Sequence, residues 1–156
     1  MTACSYRRAC LFGQVADGVM EPNDFGRIVE RCWADLPSHF PEVVLDGFVV
    51  MPNHVHGLTG LIPDRGGARH TLSDVVGAFK AFSARRINER CRTPSRAIWQ
   101  RGYHEHVVRR DEALDRIRAY IATNPIRWYL DRENPINHRG CRGGSGTCPY
   151  GLRTAP

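Results

Sequence analysis

Two histidines separated by one residue, His54 and His56, are the side chains of this 156-residue chain best suited to chemistry. They come at the end of a short apolar run, rich in β-branched and aromatic residues, which is typical of a buried strand. Because side chains alternate along a strand, both imidazoles leave one face while Val55 points to the other. Two imidazoles placed in this way can bind one cation. Two hydrogen-bonded core histidines would show the same spacing.

Tyr120 and Asn124 form a second pair, four residues apart on a predicted helix that begins at Asp111 and ends or kinks at Pro125. Residues four apart share a helix face. The amide oxygen of Asn124 could join two imidazole nitrogens on one ion, and three neutral ligands leave the charge of the ion available to polarise a phosphate. Mixed nitrogen and oxygen donors favour Mg²⁺ or Mn²⁺ over a closed zinc site. The alternatives are an ordinary half-buried tyrosine and an asparagine that only ends the helix.

The elements that must position these residues alternate along the chain. The patterns predict a strand at Thr2–Cys4, a hairpin with its turn at Asp17-Gly18, and a helix capped by Asn23 or Asp24. A strand within Val43–Leu61 carries the histidines, a helix follows a capping-box pattern at Thr71–Asp74, and Trp99–Arg109 forms a second sheet strand. This order predicts an α+β domain, an antiparallel sheet with helices packed mainly on one face.

The charge of the chain favours a polyanionic partner. Lys and Arg number 22 against 16 Asp and Glu, for a net charge of +6, and Lys80 is the only lysine. Arginine matches phosphate oxygens with a rigid fork, although a GC-rich genome would also enrich it. The polar faces of the helix after Thr71 carry basic residues that either contact DNA phosphates or are merely solvated: Lys80, Arg85, Arg86 and Arg90.

Aromatic residues and a second histidine pair leave two interpretations open. Unpaired bases could stack on Trp99, Trp128 and Tyr129, but core or interface packing is the preferred interpretation for these residues. His104 and His106 also alternate, and packing or surface exposure is the preferred interpretation for them.

The cysteines and the hydropathy indicate a cytoplasmic protein with free thiols and no membrane partner. No CxxC pair occurs, and no signal peptide or apolar run of membrane-spanning length is found. The six cysteines are Cys4, Cys10, Cys32, Cys91, Cys141 and Cys148.

Four segments resemble the REP-associated tyrosine transposases, which belong with the single-tyrosine HUH transposases of the insertion-sequence type. These segments are Val49–Gly57, Gly77–Lys80, Trp99–Tyr103 and Tyr120–Pro125. The resemblance covers roughly Thr2–Asn134 and implies a ferredoxin-like fold, as in RNA-recognition modules. It predicts a transposase domain over residues 1–134 with a shortened first strand. The Gly-, Arg- and Pro-rich tail over 135–156 is expected to be disordered.

The resemblance also implies the chemistry. His54 and His56 would be the ligands of Mg²⁺ or Mn²⁺, Asn124 the third ligand, and Tyr120 the nucleophile. The substrate would be single-stranded or hairpin DNA, nicked through a 5′-phosphotyrosine that leaves a free 3′-OH, and a homodimer stays open. Two alternatives remain: a ferredoxin-like single-stranded nucleic-acid-binding module without catalysis, and a rolling-circle replication initiator or relaxase.

Overall fold

The computed structural model describes residues 1–62 and 70–137, and the α+β class predicted from the sequence is confirmed. The strands are β1 (Thr2–Cys4), β2 (Gly13–Ala16), β3 (Val19–Pro22), β4 (Val43–Val50) and β5 (His54–Leu61). The helices are α1 (Asp24–Ala34), α2 (Leu36–His39), α3 (Leu72–Cys91) and α4 (Asp111–Thr123), with 3₁₀ turns at Tyr6–Arg8, Pro125–Leu130 and Pro135–Asn137. The tail predicted to be disordered lies outside the described residues from position 138 onward.

The central sheet is antiparallel, with the strand order β1-β5-β4. The segment Ile98–His104, here called the edge segment, runs antiparallel along the free side of β1. The Tyr6 N–H donates to the Ile98 carbonyl at 2.7 Å, and the Thr2 N–H donates to the His104 carbonyl at 2.7 Å. Counting this segment, the order of four strands is that of a ferredoxin-like sheet. β2 and β3 form a separate hairpin whose turn at Asp17-Gly18 was predicted correctly.

The sheet strand predicted over Trp99–Arg109 is present only in part: the edge segment pairs with β1 but is irregular, and residues 105–109 are not in a strand. The edge segment bridges β1 only at Trp99 and His104, opposite Ser5 and Thr2. Between the two bridges the edge segment advances five residues, from Trp99 to His104, whereas the paired chain advances three, from Thr2 to Ser5. Two extra residues must therefore bulge out of the ladder. Gly102 allows this bulge because its φ of 69° is a left-handed conformation that suits glycine.

Lys80 supplies the hydrogen bonds that the bulge cannot make within the sheet. Its ammonium group donates to the Gln100 carbonyl at 2.6 Å and to the Gly102 carbonyl at 2.8 Å. Burial of the side chain lowers the pKa of Lys80 from its ordinary value. Lys80 therefore holds the edge segment in place from α3.

A second correction concerns the strand that carries the histidines. The apolar run before His54 is β4, and the histidines open the next strand, β5. The Met51 N–H donates to the His54 carbonyl at 2.8 Å, which closes a tight turn through Pro52 and Asn53. Proline and asparagine both favour turns, and this signal outweighs the apolar run around it.

The hydrophobic core lies on the face of the sheet that Val55 and Gly57 occupy. The Trp33 ring of α1 stacks on Phe48 at a centroid distance of 4.6 Å and meets the Phe79 ring of α3 edge-on at 5.5 Å. A Cβ at Gly57 would lie 2.5 Å from the Trp33 ring, so this position must lack a side chain. The caps predicted for these two helices are present: Asn23 caps α1, and Thr71 opens α3 with a capping box.

The α4 helix packs on the opposite face of the sheet. Ile121 covers Gly47, where a Cβ would lie 3.4 Å from the Ile121 side chain. Arg118 holds both carboxylate oxygens of Asp46, with the shortest contact at 2.7 Å. The β4–β5 register shifts between Leu45 and Phe48, so the docking point of α4 is a β-bulge. In the part of the chain that the structure describes, no helix has the length and apolar character needed to cross a bilayer.

Candidate active site

Two imidazoles on β5 form the centre of the site. The Nε2 atoms of His54 and His56 are 3.1 Å apart, and the two rings are 4.7 Å apart between centroids at an interplanar angle of 76°. His54 is fully buried and His56 is half-buried. Strand alternation placed the two side chains on one face, as the spacing predicted, and their Nε2 atoms converge on one point.

Asn53 fixes which nitrogen of His54 carries the proton. The Asn53 amide group donates to the Arg8 carbonyl at 3.2 Å and to the Glu133 carbonyl at 2.6 Å. Its oxygen therefore faces Nδ1 of His54, at 2.9 Å, and accepts the Nδ1–H. The Nε2 atom of His54 is left with a free lone pair, which is the form that binds a metal.

Thr2 provides the equivalent contact for His56. Its hydroxyl lies 2.8 Å from Nδ1 of His56, and β1 holds Thr2 directly opposite His56 in the strand register. When Nδ1 donates its hydrogen to this hydroxyl, Nε2 of His56 also carries a lone pair. Two lone pairs 3.1 Å apart repel each other, and a cation between them removes that repulsion.

The electrostatics of the site keep both imidazoles neutral. Burial, with a smaller effect of the Arg8 charge, lowers the pKa of His54 from 6.5 to about 4. Burial and the neighbouring His54 lower the pKa of His56 to about 3, although Asp131 acts in the opposite direction. Neutral imidazoles are the form required of metal ligands.

Tyr120 lies beside this pair in the same chain. Its ring centroid is 5.3 Å from that of His56 at an interplanar angle of 69°, and 45% of the residue is exposed to solvent. The packing of Ile121 and the ion pair of Arg118 with Asp46 hold α4 in this position. A substrate can therefore reach the phenol of Tyr120 from solvent, beside the half-buried ring of His56.

Asn124 directly follows α4 and is 2% exposed. Its Oδ1 atom is buried without a hydrogen-bond partner among the described residues. An unsatisfied buried acceptor costs about 1–3 kcal/mol, and a bound cation would satisfy it. The described residues contain no group of three or more His, Cys, Asp or Glu side chains that could hold a metal. Two imidazoles and one amide oxygen are nevertheless suitable donors for a divalent cation, so the residues fit the predicted metal.

The sequence did not point to three charged side chains around His54 and Asn53, whereas Trp128, named from the sequence as a possible base-stacking residue, does lie beside His54. Asp131 places Oδ2 3.9 Å from Nε2 of His54, and the Trp128 ring lies 6.0 Å from the imidazole. Arg8 forms an ion pair with Glu133 next to Asn53. Asn53 precedes the first histidine and could have been recognised as its partner. No local sequence pattern indicates Asp131, because this residue approaches His54 only after the turn at Pro125–Leu130 has returned the chain to β5.

The four basic residues predicted to contact DNA lie on α3, which packs on the core face, while the histidines leave the other face. Lys80 holds the edge segment, and Arg86 contacts Asp35 at 3.0 Å. Arg90 contacts Asp24 at 3.2 Å, and Arg85 lies 3.8 Å from Glu89. These four residues therefore do not line the histidine site, and DNA contact by them stays a prediction.

The remaining aromatic and histidine candidates separate by burial. Trp99 is a core residue that donates its indole N–H to Ser83 at 2.9 Å, whereas Tyr129 is 68% exposed. His104 and His106 are exposed, as preferred from the sequence. Among the described residues, no disulfide bond is formed by Cys4, Cys10, Cys32 or Cys91.

An exposed tyrosine beside two neutral imidazoles, on a ferredoxin-like sheet, is an arrangement suited to phosphoryl transfer. The model of the IS200-like transposase family matches residues 1–124. The chain therefore belongs to the IS200-like transposases, and its class is that of a DNA transposase, as the resemblance of its motifs predicted.

Two further comparisons give a relative in sequence and a likeness in fold. An uncharacterized protein of Haemophilus influenzae is 33% identical over 151 residues, covering 85% of this chain and 82% of the relative. A solved structure of a REP-associated tyrosine transposase bound to a REP hairpin is similar in fold. Its TM-score is 0.58 at 17% identity, over 99% of this chain and 90% of the other.

Proposed function

We propose that this transposase nicks single-stranded DNA through Tyr120 and rejoins it by strand transfer, with Mg²⁺ or Mn²⁺ held by His54, His56 and Asn124. The observation that supports this most strongly is the exposed Tyr120 ring 5.3 Å from His56, next to two Nε2 atoms 3.1 Å apart. Because a solved protein of similar fold is bound to a REP hairpin, we propose hairpin DNA as the substrate.

The proposed reaction is a displacement at one phosphodiester. The oxygen of Tyr120 attacks the phosphorus, the bond from phosphorus to the 3′ oxygen breaks, and the phenol proton is lost to solvent as the 3′ oxygen is protonated. The metal, when bound, would stabilise the negative charge that develops on the phosphate. The 5′-phosphotyrosine preserves the energy of the broken bond, so a 3′-OH can reverse the step without a nucleotide cofactor.

Covalent trapping on end-labelled DNA tests this proposal. The full chain is incubated with a single-stranded hairpin oligonucleotide and Mn²⁺, and the products are separated under denaturing conditions. Attack by Tyr120 predicts a protein–DNA adduct that carries a 3′-end label. A 5′-end label should instead appear on a shorter free strand whose 3′-OH a polymerase can extend.

Tyr129→Phe is the matched control, because Tyr129 is also an exposed tyrosine and lies just beyond α4. Tyr120→Phe should abolish the adduct and Tyr129→Phe should retain it. The opposite pattern would show that Tyr120 is not the nucleophile. Binding of the hairpin without any adduct would favour the alternative of a binding module without catalysis.

A further inference from the structure

The chain that follows α4 returns to the start of β5 and is anchored there by two contacts. The Glu133 carbonyl accepts a hydrogen bond from Asn53 at 2.6 Å, and the Glu133 carboxylate forms an ion pair with Arg8. Asn53 is the residue that orients His54, so one amide group holds both the imidazole and the returning chain. The backbone around Asp131 is therefore fixed relative to the histidines.

The Asp131 side chain is oriented within this anchored segment. Its Oδ1 atom accepts the Glu133 N–H at 2.7 Å, in a turn that aspartate commonly closes. Its Oδ2 atom faces Nε2 of His54 at 3.9 Å, which is too long for a hydrogen bond, and the side chain is 15% exposed. One carboxylate oxygen thus satisfies the backbone, and the other presents negative charge toward the nitrogen predicted to bind metal.

We propose that Asp131 is a positioning residue of the metal site, a carboxylate that raises the affinity for a divalent cation from outside the ligand set. This inference rests on the proposed function. Histidine and asparagine are neutral, so Asp131 supplies negative charge that they lack. At 3.9 Å from His54 it can attract the cation directly through space or accept a hydrogen bond from its water.

Binding of Mn²⁺ to the full chain, followed by the loss of the spin-resonance signal of free Mn²⁺, tests this role without DNA. Asp131→Asn keeps an oxygen for the Glu133 N–H and removes the charge, so its affinity should fall about 10–100-fold. Asp131→Glu restores the charge and should recover most of the affinity. Asp115→Asn is the control, because Asp115 is an exposed carboxylate of α4 that pairs with Arg118.

The outcomes separate this inference from the proposed function. Equal affinity of Asp131→Asn and the unchanged protein, while His54→Ala loses binding, overturns the role of Asp131 and leaves the histidine site intact. Equal losses in Asp131→Asn and Asp131→Glu overturn it as well, because a negative charge restored at this position would then not restore binding. Absence of Mn²⁺ binding by the unchanged protein refutes the metal site itself and the role of Asp131 with it. Melting temperatures without metal identify any variant that is poorly folded.

Discussion

The buried histidine pair makes the stability of the metal-free protein sensitive to mild acid. Unfolding exposes both imidazoles and returns their pKa to 6.5, whereas in the folded protein the values are about 4 for His54 and about 3 for His56. Below pH 6.5 the unfolded chain takes up protons that the folded chain does not bind. The free energy of unfolding is therefore highest above pH 6.5 and decreases as the pH falls toward 4.

The size of the effect follows from the two shifts. Each pH unit below 6.5 costs about 1.4 kcal/mol per histidine for as long as the folded imidazole stays neutral. At pH 5 this amounts to about 2 kcal/mol for each residue, or about 4 kcal/mol for the pair. The free energy of unfolding of a typical domain is about 5–15 kcal/mol, so this loss is a large part of the total.

Urea unfolding in EDTA at pH 7 and at pH 5 measures this loss, because pH 5 lies above the ordinary pKa of carboxyl groups. His56→Gln should lose only about half as much free energy between the two pH values as the unchanged chain. His106→Gln removes an exposed histidine and should keep the full loss. Equal losses in His56→Gln and the unchanged chain would refute the explanation.

Three further substitutions test the frame of the site. Gly57→Ala forces a Cβ against the Trp33 ring and should destabilise the fold by about 1–3 kcal/mol in urea unfolding; a neutral result would contradict the close approach. Lys80→Met removes two hydrogen bonds from a charged donor and should lower the free energy of unfolding by about 1–3 kcal/mol. Its affinity for the hairpin should be retained if Lys80 does not contact DNA, and a loss of affinity would indicate that it does. Thr2→Val removes the hydroxyl at His56 and should weaken Mn²⁺ binding about 10–100-fold in a titration, whereas unchanged affinity would show that Thr2 does not orient the ring.

Local patterns predicted the parts of this molecule that depend on neighbours in sequence. The capping box at Thr71, the Asp17-Gly18 turn and the helix that carries Tyr120 each depend on residues a few positions apart. Strand alternation alone placed His54 and His56 on one face. These features were predictable because turns, caps and periodicity are properties of short stretches.

Features that depend on distant pairing were not predictable in this way. Thr2 meets His56 only because β1 pairs with β5, across 54 residues of chain. The bulge of the edge segment is held by Lys80, which donates to two of its carbonyls from α3. Asp131 approaches His54 because the 3₁₀ turn at Pro125–Leu130, which follows α4, returns the chain to β5. Each of these contacts is set by tertiary packing, which no local pattern in one sequence encodes.

The site and the core are coupled through β5, because alternate residues of this strand serve the two faces. Val55 is fully buried in the core and Gly57 admits the Trp33 ring, while His54 and His56 leave toward α4. A slip of one residue in the strand register would exchange the two sets, placing imidazoles against Trp33 and apolar groups against Tyr120. The close fit of Trp33 on Gly57 opposes such a slip, because the residues of β5 on either side of Gly57 carry side chains and the next glycine of the strand is Gly60. The packing that stabilises the core therefore also fixes the direction of the two imidazoles.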